Sequence, residues 1–371
     1  MLRCFWLILC LPATLLAAER NILDEEITNT QSLISEIKRL DKRGGISNSG
    51  EVVAHWQQEL ALIQERNAKF KGRAASRVFC VYAETQQVAE RYLKEAQSVL
   101  DLYEKLFPRS NFLPATPAQI LIYSRAEDYL KYEHIPVGVV GHTHAMRSKK
   151  TTIIKRGSLY SIEPVTSSNI KDHRLATYQQ DVPYVFAHEV SHILTYELVN
   201  PGRMSITDVE TSLFLNEGLA EYFSAQLFPD GFEKRLEVVR EAYGITPKTA
   251  ESEVRDVALN EQFSKVRDIR LEDYLKRDAY PEGAAILQFY SEAALFVQWL
   301  MQLPGGPELV SALLVTPDAG QMEAQLRQHQ RRYNLPVTGW EQYQPHRKQV
   351  LLTARKKQVA EPAESQASPN P

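Results

Sequence analysis

The segment FAHEVSHILTYE, residues 186–197, places His188, Glu189 and His192 inside a run that is otherwise mostly apolar. Asp181 stands where a helix cap belongs, Pro183 suits an early helical turn, and the Asn-Pro-Gly at 200–202 ends the run. On that helix His188 and His192 lie one turn apart on one face, and their imidazoles can converge on one point. Glu189 stands beside them, about 100° around the axis. An apolar helix belongs in a core, where an unpartnered polar side chain costs several kcal/mol. Whatever fold the chain adopts must therefore bring compensating groups to this helix. The His-Glu-x-x-His spacing meets what a zinc ion needs from one rigid element: two nitrogen ligands, and a carboxylate able to take a proton from metal-bound water. A chance match in a chain of this length arises on the order of one or two times in a hundred, so the motif needs context.

That context is SLFLNEGLAEYFSAQLF, residues 212–228. Glu217 and Glu221 again stand four apart on one helical face among apolar neighbours. A metal and its histidines would satisfy both carboxylates. Glu217 is placed to supply a third ligand, and Glu221 to accept the second ring N–H of a ligating histidine, which fixes its tautomer and raises its basicity.

His-Glu-x-x-His followed by a helix carrying NEGLAEYF resembles the gluzincin metallopeptidases, the thermolysin and aminopeptidase N group. The resemblance implies His188, His192 and Glu217 as zinc ligands and Glu189 as general base, with Glu221 and Asn216 supporting the ligands from behind. The order of strand, long helix, AQILIYS, β region, both motifs and the late helix FYSEAALFVQWL is similar to a peptidase MA-like family of secreted bacterial proteins, over roughly residues 76–350. In that late helix Tyr290, followed by a small and an acidic residue, matches a tyrosine that stabilises the oxyanion; Tyr222 and Tyr280 are the other candidates. The implied activity is hydrolysis of peptide bonds in a peptide or protein substrate. The chain departs from the pattern in the 24 residues between His192 and Glu217, several more than in thermolysin or aminopeptidase N. That difference leaves the ligands standing and weakens any transfer of substrate preference. No GxMEN-like stretch is present, which favours endopeptidase over aminopeptidase action. The alternative is a non-catalytic zinc-binding or envelope scaffold that keeps a gluzincin shell; the intact Glu189 argues against it.

The rest of the chain is read around this site. Residues 1–18, with Arg3, an apolar stretch and Ala17-Ala18, have the layout of a signal peptide cleaved after Ala18, which predicts a secreted or periplasmic protein with no membrane span after cleavage. Cys4 and Cys10 would leave with it, so the mature chain would hold one thiol, Cys80, in the β-rich RVFCVYA. Residues 19–75 read as a helical hairpin, broken by DKRGGISNSG. Strands are expected near 77–83, at AQILIYS, at KTTIIKR and at SLYSIEP, with helices near 86–107 and over RAEDYLKYEH. From Val182 onward nearly everything reads as helix, and residues 351–371 as a disordered tail. The fold class is α+β: a small mixed sheet packed on a mainly helical zincin-like catalytic domain, with the hairpin in front. His142 and His144 form an HxH pair in a Gly-flanked setting that suits a loop near a cleft. A net charge of −3 with no long basic block gives no reason to expect nucleic acid as a partner.

Overall fold

The computed structural model describes residues 22–42, 48–110, 112, 117–133, 141–144, 158–162, 182–199, 211–243, 268–282, 285–316 and 318–352. The expected signal peptide, Asp181, the strand KTTIIKR, the helix stop at 200–202 and the tail beyond 352 lie outside these residues.

Two helices, α1 (Ile22–Asp41) and α2 (Ser49–Asn67), pack on each other as the expected hairpin. Asp24 and Glu25 in the first turn of α1, with Lys38 and Arg39 in its last, match the helix dipole. Next come β1 (Gly72–Ala75), β2 (Phe79–Ala83), α3 (Gln86–Leu106), β3 (Ala118–Tyr123), α4 (Ala126–Glu133), β4 (Gly141–His144) and β5 (Ser158–Ile162). The five strands form one mixed sheet in the order β1-β2-β3-β5-β4. The pairs β2–β3 and β3–β5 are parallel, while the edge strands β1 and β4 run antiparallel to their neighbours.

Two expectations are corrected here. The sheet begins at Gly72, inside the segment assigned to the hairpin, and His142 and His144 lie on the edge strand β4 rather than in a loop. Gly72 explains the first: a Cβ there would stand 2.1 Å from the Thr85 carbonyl, so only glycine lets this strand pass the start of α3.

Both faces of the central strands are covered, which is why β2 and β3 are buried along their whole length. Phe79, Val81, Ala83, Ile120 and Ile122 join the large core with α3 and the later helices. Cys80, Tyr82, Leu121 and Tyr123 turn the other way, towards Tyr129 and Tyr132 of α4 and towards Leu23 and Phe70. Ion pairs fasten the hairpin side to α4: Lys69 to Asp128 at 3.0 Å, Lys131 to Glu65 at 2.7 Å, and Arg66 to Glu133 at 3.8 Å.

The remainder of the described chain is helical: α5 (Val182–Val199), α6 (Leu213–Leu227), α7 (Pro229–Ala242), α8 (Leu271–Leu275), α9 (Ala285–Gln302), α10 (Gly306–Leu314), α11 (Ala319–Arg332), a 3₁₀ turn at Gly339–Gln342, and α12 (Tyr343–Leu352). The fold is α+β. Leu351 is fully buried in the core, so the expected tail does not start at 351. Among the described residues no helix is long and apolar enough to cross a membrane.

Helix α6 lies between α5 and α9. Tyr103 of α3 locks this arrangement to the sheet layer: its ring stacks on Phe223 of α6 at 3.8 Å, and its hydroxyl donates to the Ser191 carbonyl of α5 at 3.1 Å. Helices α6 and α9 approach closely at Gly218, where an added Cβ would stand 2.4 Å from the Ala293 carbonyl oxygen. The obstacle is backbone and cannot swing aside. Gly218→Ala is therefore expected to destabilise the protein by about 3 kcal/mol, at the upper end for overpacking, read from urea unfolding followed by circular dichroism. A loss below about 0.5 kcal/mol, the size of an ordinary surface substitution, would mean that the two helices are not in this contact.

Candidate metal centre

Helix α5 carries His188 and His192 one turn apart, and α6 presents Glu217 and Glu221 on the face that meets them. Ser212 caps the start of α6 by accepting from the Leu215 N–H. Three side-chain atoms converge between the helices. Nε2 of His188 lies 3.0 Å from Oε2 of Glu217, Nε2 of His192 lies 3.0 Å from Nε2 of His188, and Nε2 of His192 lies 3.4 Å from the same Glu217 oxygen. A small tetrahedral ion with bonds of ~2.0–2.2 Å holds its ligand atoms roughly 3.3–3.6 Å apart. His188, His192 and Glu217 are a group that can hold a metal ion.

The surroundings sharpen this arrangement. Glu217 and Glu221 are each 1% exposed, so neither charge is relieved by water. Nδ1 of His188 stands 3.2 Å from Oε1 of Glu221, in ion-pair rather than hydrogen-bond alignment. The other Glu221 oxygen accepts from the Tyr184 hydroxyl and faces Nε of Arg235 at 3.7 Å, and the Arg235 guanidinium also lies over the Tyr184 ring. The Tyr280 hydroxyl donates to Oε1 of Glu217. Tyr290 of α9 sets its ring edge-on to His188, 5.8 Å between centroids, and its hydroxyl bonds to no described residue. From the sheet side, Thr143 of β4 donates to the Glu189 carbonyl at 3.0 Å, and His142 shares a 2.7 Å hydrogen bond with Tyr129.

The three residues that the sequence singled out for metal binding are thus brought together, and Glu221 stands 3.2 Å from His188 Nδ1 without the hydrogen bond expected of it. Glu189 is on the same helix, and its charge is felt by His192, Tyr129, Tyr280 and Tyr290. Asn216 is not drawn in: it is half-buried, one residue or about 100° away from the Glu217 face, and its side chain bonds to no described residue. Tyr222 packs on Phe223 and makes no described contact with the three ligands. Sequence reasoning missed Tyr184 and Arg235. Tyr184 had a signal, since it precedes His188 by one turn on the same face; Arg235 had none.

The protonation states follow from this enclosure. Burial lowers the affinity of His188 for its proton, but Glu217 and Glu221 outweigh it and raise the pKa to about 10. Burial likewise lowers the pKa of His192, but Glu217 and Glu189 outweigh it and raise the pKa; burial pushes Glu217 up, but the two histidines hold it well below the usual carboxylate range. Burial and the nearby carboxylates push Tyr280 and Tyr290 far up, so both are neutral donors.

No protein-family model matches this chain, and no curated protein matches it significantly.

Without metal, His188 is an imidazolium at neutral pH. Its pKa is raised on folding from 6.5 to about 10, so the resulting stability is fully present below pH 6.5 and is lost as pH rises through about 10. The Tm of chelator-treated protein is therefore expected to fall across this window. Metal uptake near pH 7.5 is expected to release at least one proton per site, seen by titration calorimetry in buffers of different ionisation enthalpy. Uptake with no proton release would contradict the charged His188.

Proposed function

We propose that this chain is an exported zinc-dependent metallopeptidase that cleaves peptide bonds within protein substrates. The observation that carries the reading is the convergence of two imidazole nitrogens and one carboxylate oxygen, with Glu189 beside them on the ligand helix. A His2Glu set suits zinc, and three protein ligands leave a fourth position for water, as catalytic rather than structural sites do. When bound, zinc supplies an acidified water and polarises the scissile carbonyl.

The protein's own residues do the rest. The Glu189 carboxylate, unlike its backbone carbonyl, makes no hydrogen bond to a described residue, so it is free to take the proton of the attacking water and return it to the leaving amine. Neutral phenols donate to a developing oxyanion, and Tyr290, with its hydroxyl unengaged beside His188, has that role. Glu221 holds His188 in one orientation, as an anionic partner behind a ligating imidazole does. The layout of residues 1–18 supports export, and the missing GxMEN-like stretch supports internal cleavage.

Elemental analysis and hydrolysis of an unfolded protein substrate, measured on the same samples, test this reading. Wild type is expected to carry one zinc per chain, and Glu217→Ala markedly less. Glu189→Gln is expected to keep the zinc and lose about 10²–10⁴-fold in rate, the usual worth of a positioned acid–base group. A folded protein that takes up no zinc would end the proposal. Zinc without hydrolysis would end the enzymatic half of it.

A further inference from the structure

Tyr280 does not belong to either motif helix, yet it reaches the proposed metal ligand. It sits between α8 and α9, 47% exposed as a residue, while its hydroxyl reaches Oε1 of the buried Glu217 at 2.5 Å. Two aromatic neighbours fix the ring, Phe289 at 6.3 Å and 80° and Tyr290 at 6.1 Å and 56°. The phenol therefore approaches from a set direction.

The two oxygens of Glu217 are used differently. Oε2 faces both imidazoles, at 3.0 and 3.4 Å, whereas Oε1 accepts a hydrogen bond from the phenol. A carboxylate with both oxygens unengaged can bind a metal through either one or both. With both it fills the position that a catalytic site must leave open to water. Drawing Oε1 into a charge-assisted hydrogen bond removes that option.

We propose that Tyr280 is a positioning residue that keeps Glu217 a one-oxygen ligand and so keeps the fourth coordination position open. The inference rests on the metallopeptidase reading only in that His188, His192 and Glu217 bind the metal. It assigns to Tyr280 a role different from that of Tyr290, which faces His188 and leaves Glu217 Oε1 alone.

The test is Tyr280→Phe, which keeps the ring and removes only the hydroxyl. Wild type and variant are loaded with cobalt(II) in place of zinc, and their visible absorption and metal affinity are compared. The wild type is expected to show the intense bands of a four-coordinate site. The variant is expected to show the weaker spectrum of a five-coordinate one, with the metal bound about 10–100-fold less tightly, the usual effect of losing a partner of a ligand. A changed spectrum in a variant that, without metal, keeps the wild-type circular dichroism and still unfolds cooperatively separates positioning from a loss of fold. Identical spectra and affinities would overturn the role of Tyr280 and leave the metal site standing. A wild type that binds no cobalt at His188, His192 and Glu217 would overturn the metal site itself, and this inference with it.

Discussion

Two carboxylates buried one turn apart on α6 set the terms for everything around them. Neither Glu217 nor Glu221 can be left alone in an apolar helical layer, because an unpaired buried charge costs several kcal/mol. The chain answers with three kinds of partner: imidazoles from α5, a guanidinium from α7, and phenols from α5 and the segment before α9. The metal-free protein already satisfies part of this demand by charging His188. A divalent ion held there would replace that proton with a stronger positive centre at the same spot, so that folding and metal binding would draw on the same electrostatics.

Precision in such a site comes from packing rather than from the charges. Gly218, the residue after Glu217, lets α6 press on the backbone of α9, which fixes the height of the carboxylates above the histidine helix. Tyr103 joins α3, α5 and α6 through one ring and one hydroxyl. Thr143 then ties the sheet edge to the backbone of Glu189 itself. The sheet is small, but its edge strand β4 lies directly against the ligand helix, and so the region before α5 contributes to the geometry of the site.

Much of this was legible in the sequence because it is written in local periods. Residues four apart on a helix share a face, so His188 with His192 and Glu217 with Glu221 announce both helices and the faces that meet. The α+β class followed from β-rich runs alternating with helical ones. What escaped the reading lacked such a period. β1, Gly-Arg-Ala-Ala, has no β-branched residue, and β4, Gly-His-Thr-His, looks like a loop; both are edge strands held by a neighbour rather than by their own propensity. Arg235 meets α6 only through tertiary packing, and Tyr280, which the sequence offered only as an alternative oxyanion donor, reaches Glu217 from 63 residues down the chain. No spacing rule reaches so far.

The division between periodic and non-periodic residues is also a division of labour. The three ligand atoms are carried by α5 and α6, whose positions are over-determined by the core. Tyr280 is carried by a short connection and is half-exposed. A hydrogen bond to a buried carboxylate is worth about 1.5–3 kcal/mol, more than a surface position ordinarily contributes. Here the ring rests on Phe289 and Tyr290, while the hydroxyl meets a charge that the core cannot release. Its interaction energy is therefore concentrated on the orientation of one carboxylate, which leaves Oε2 as the oxygen turned to the histidines.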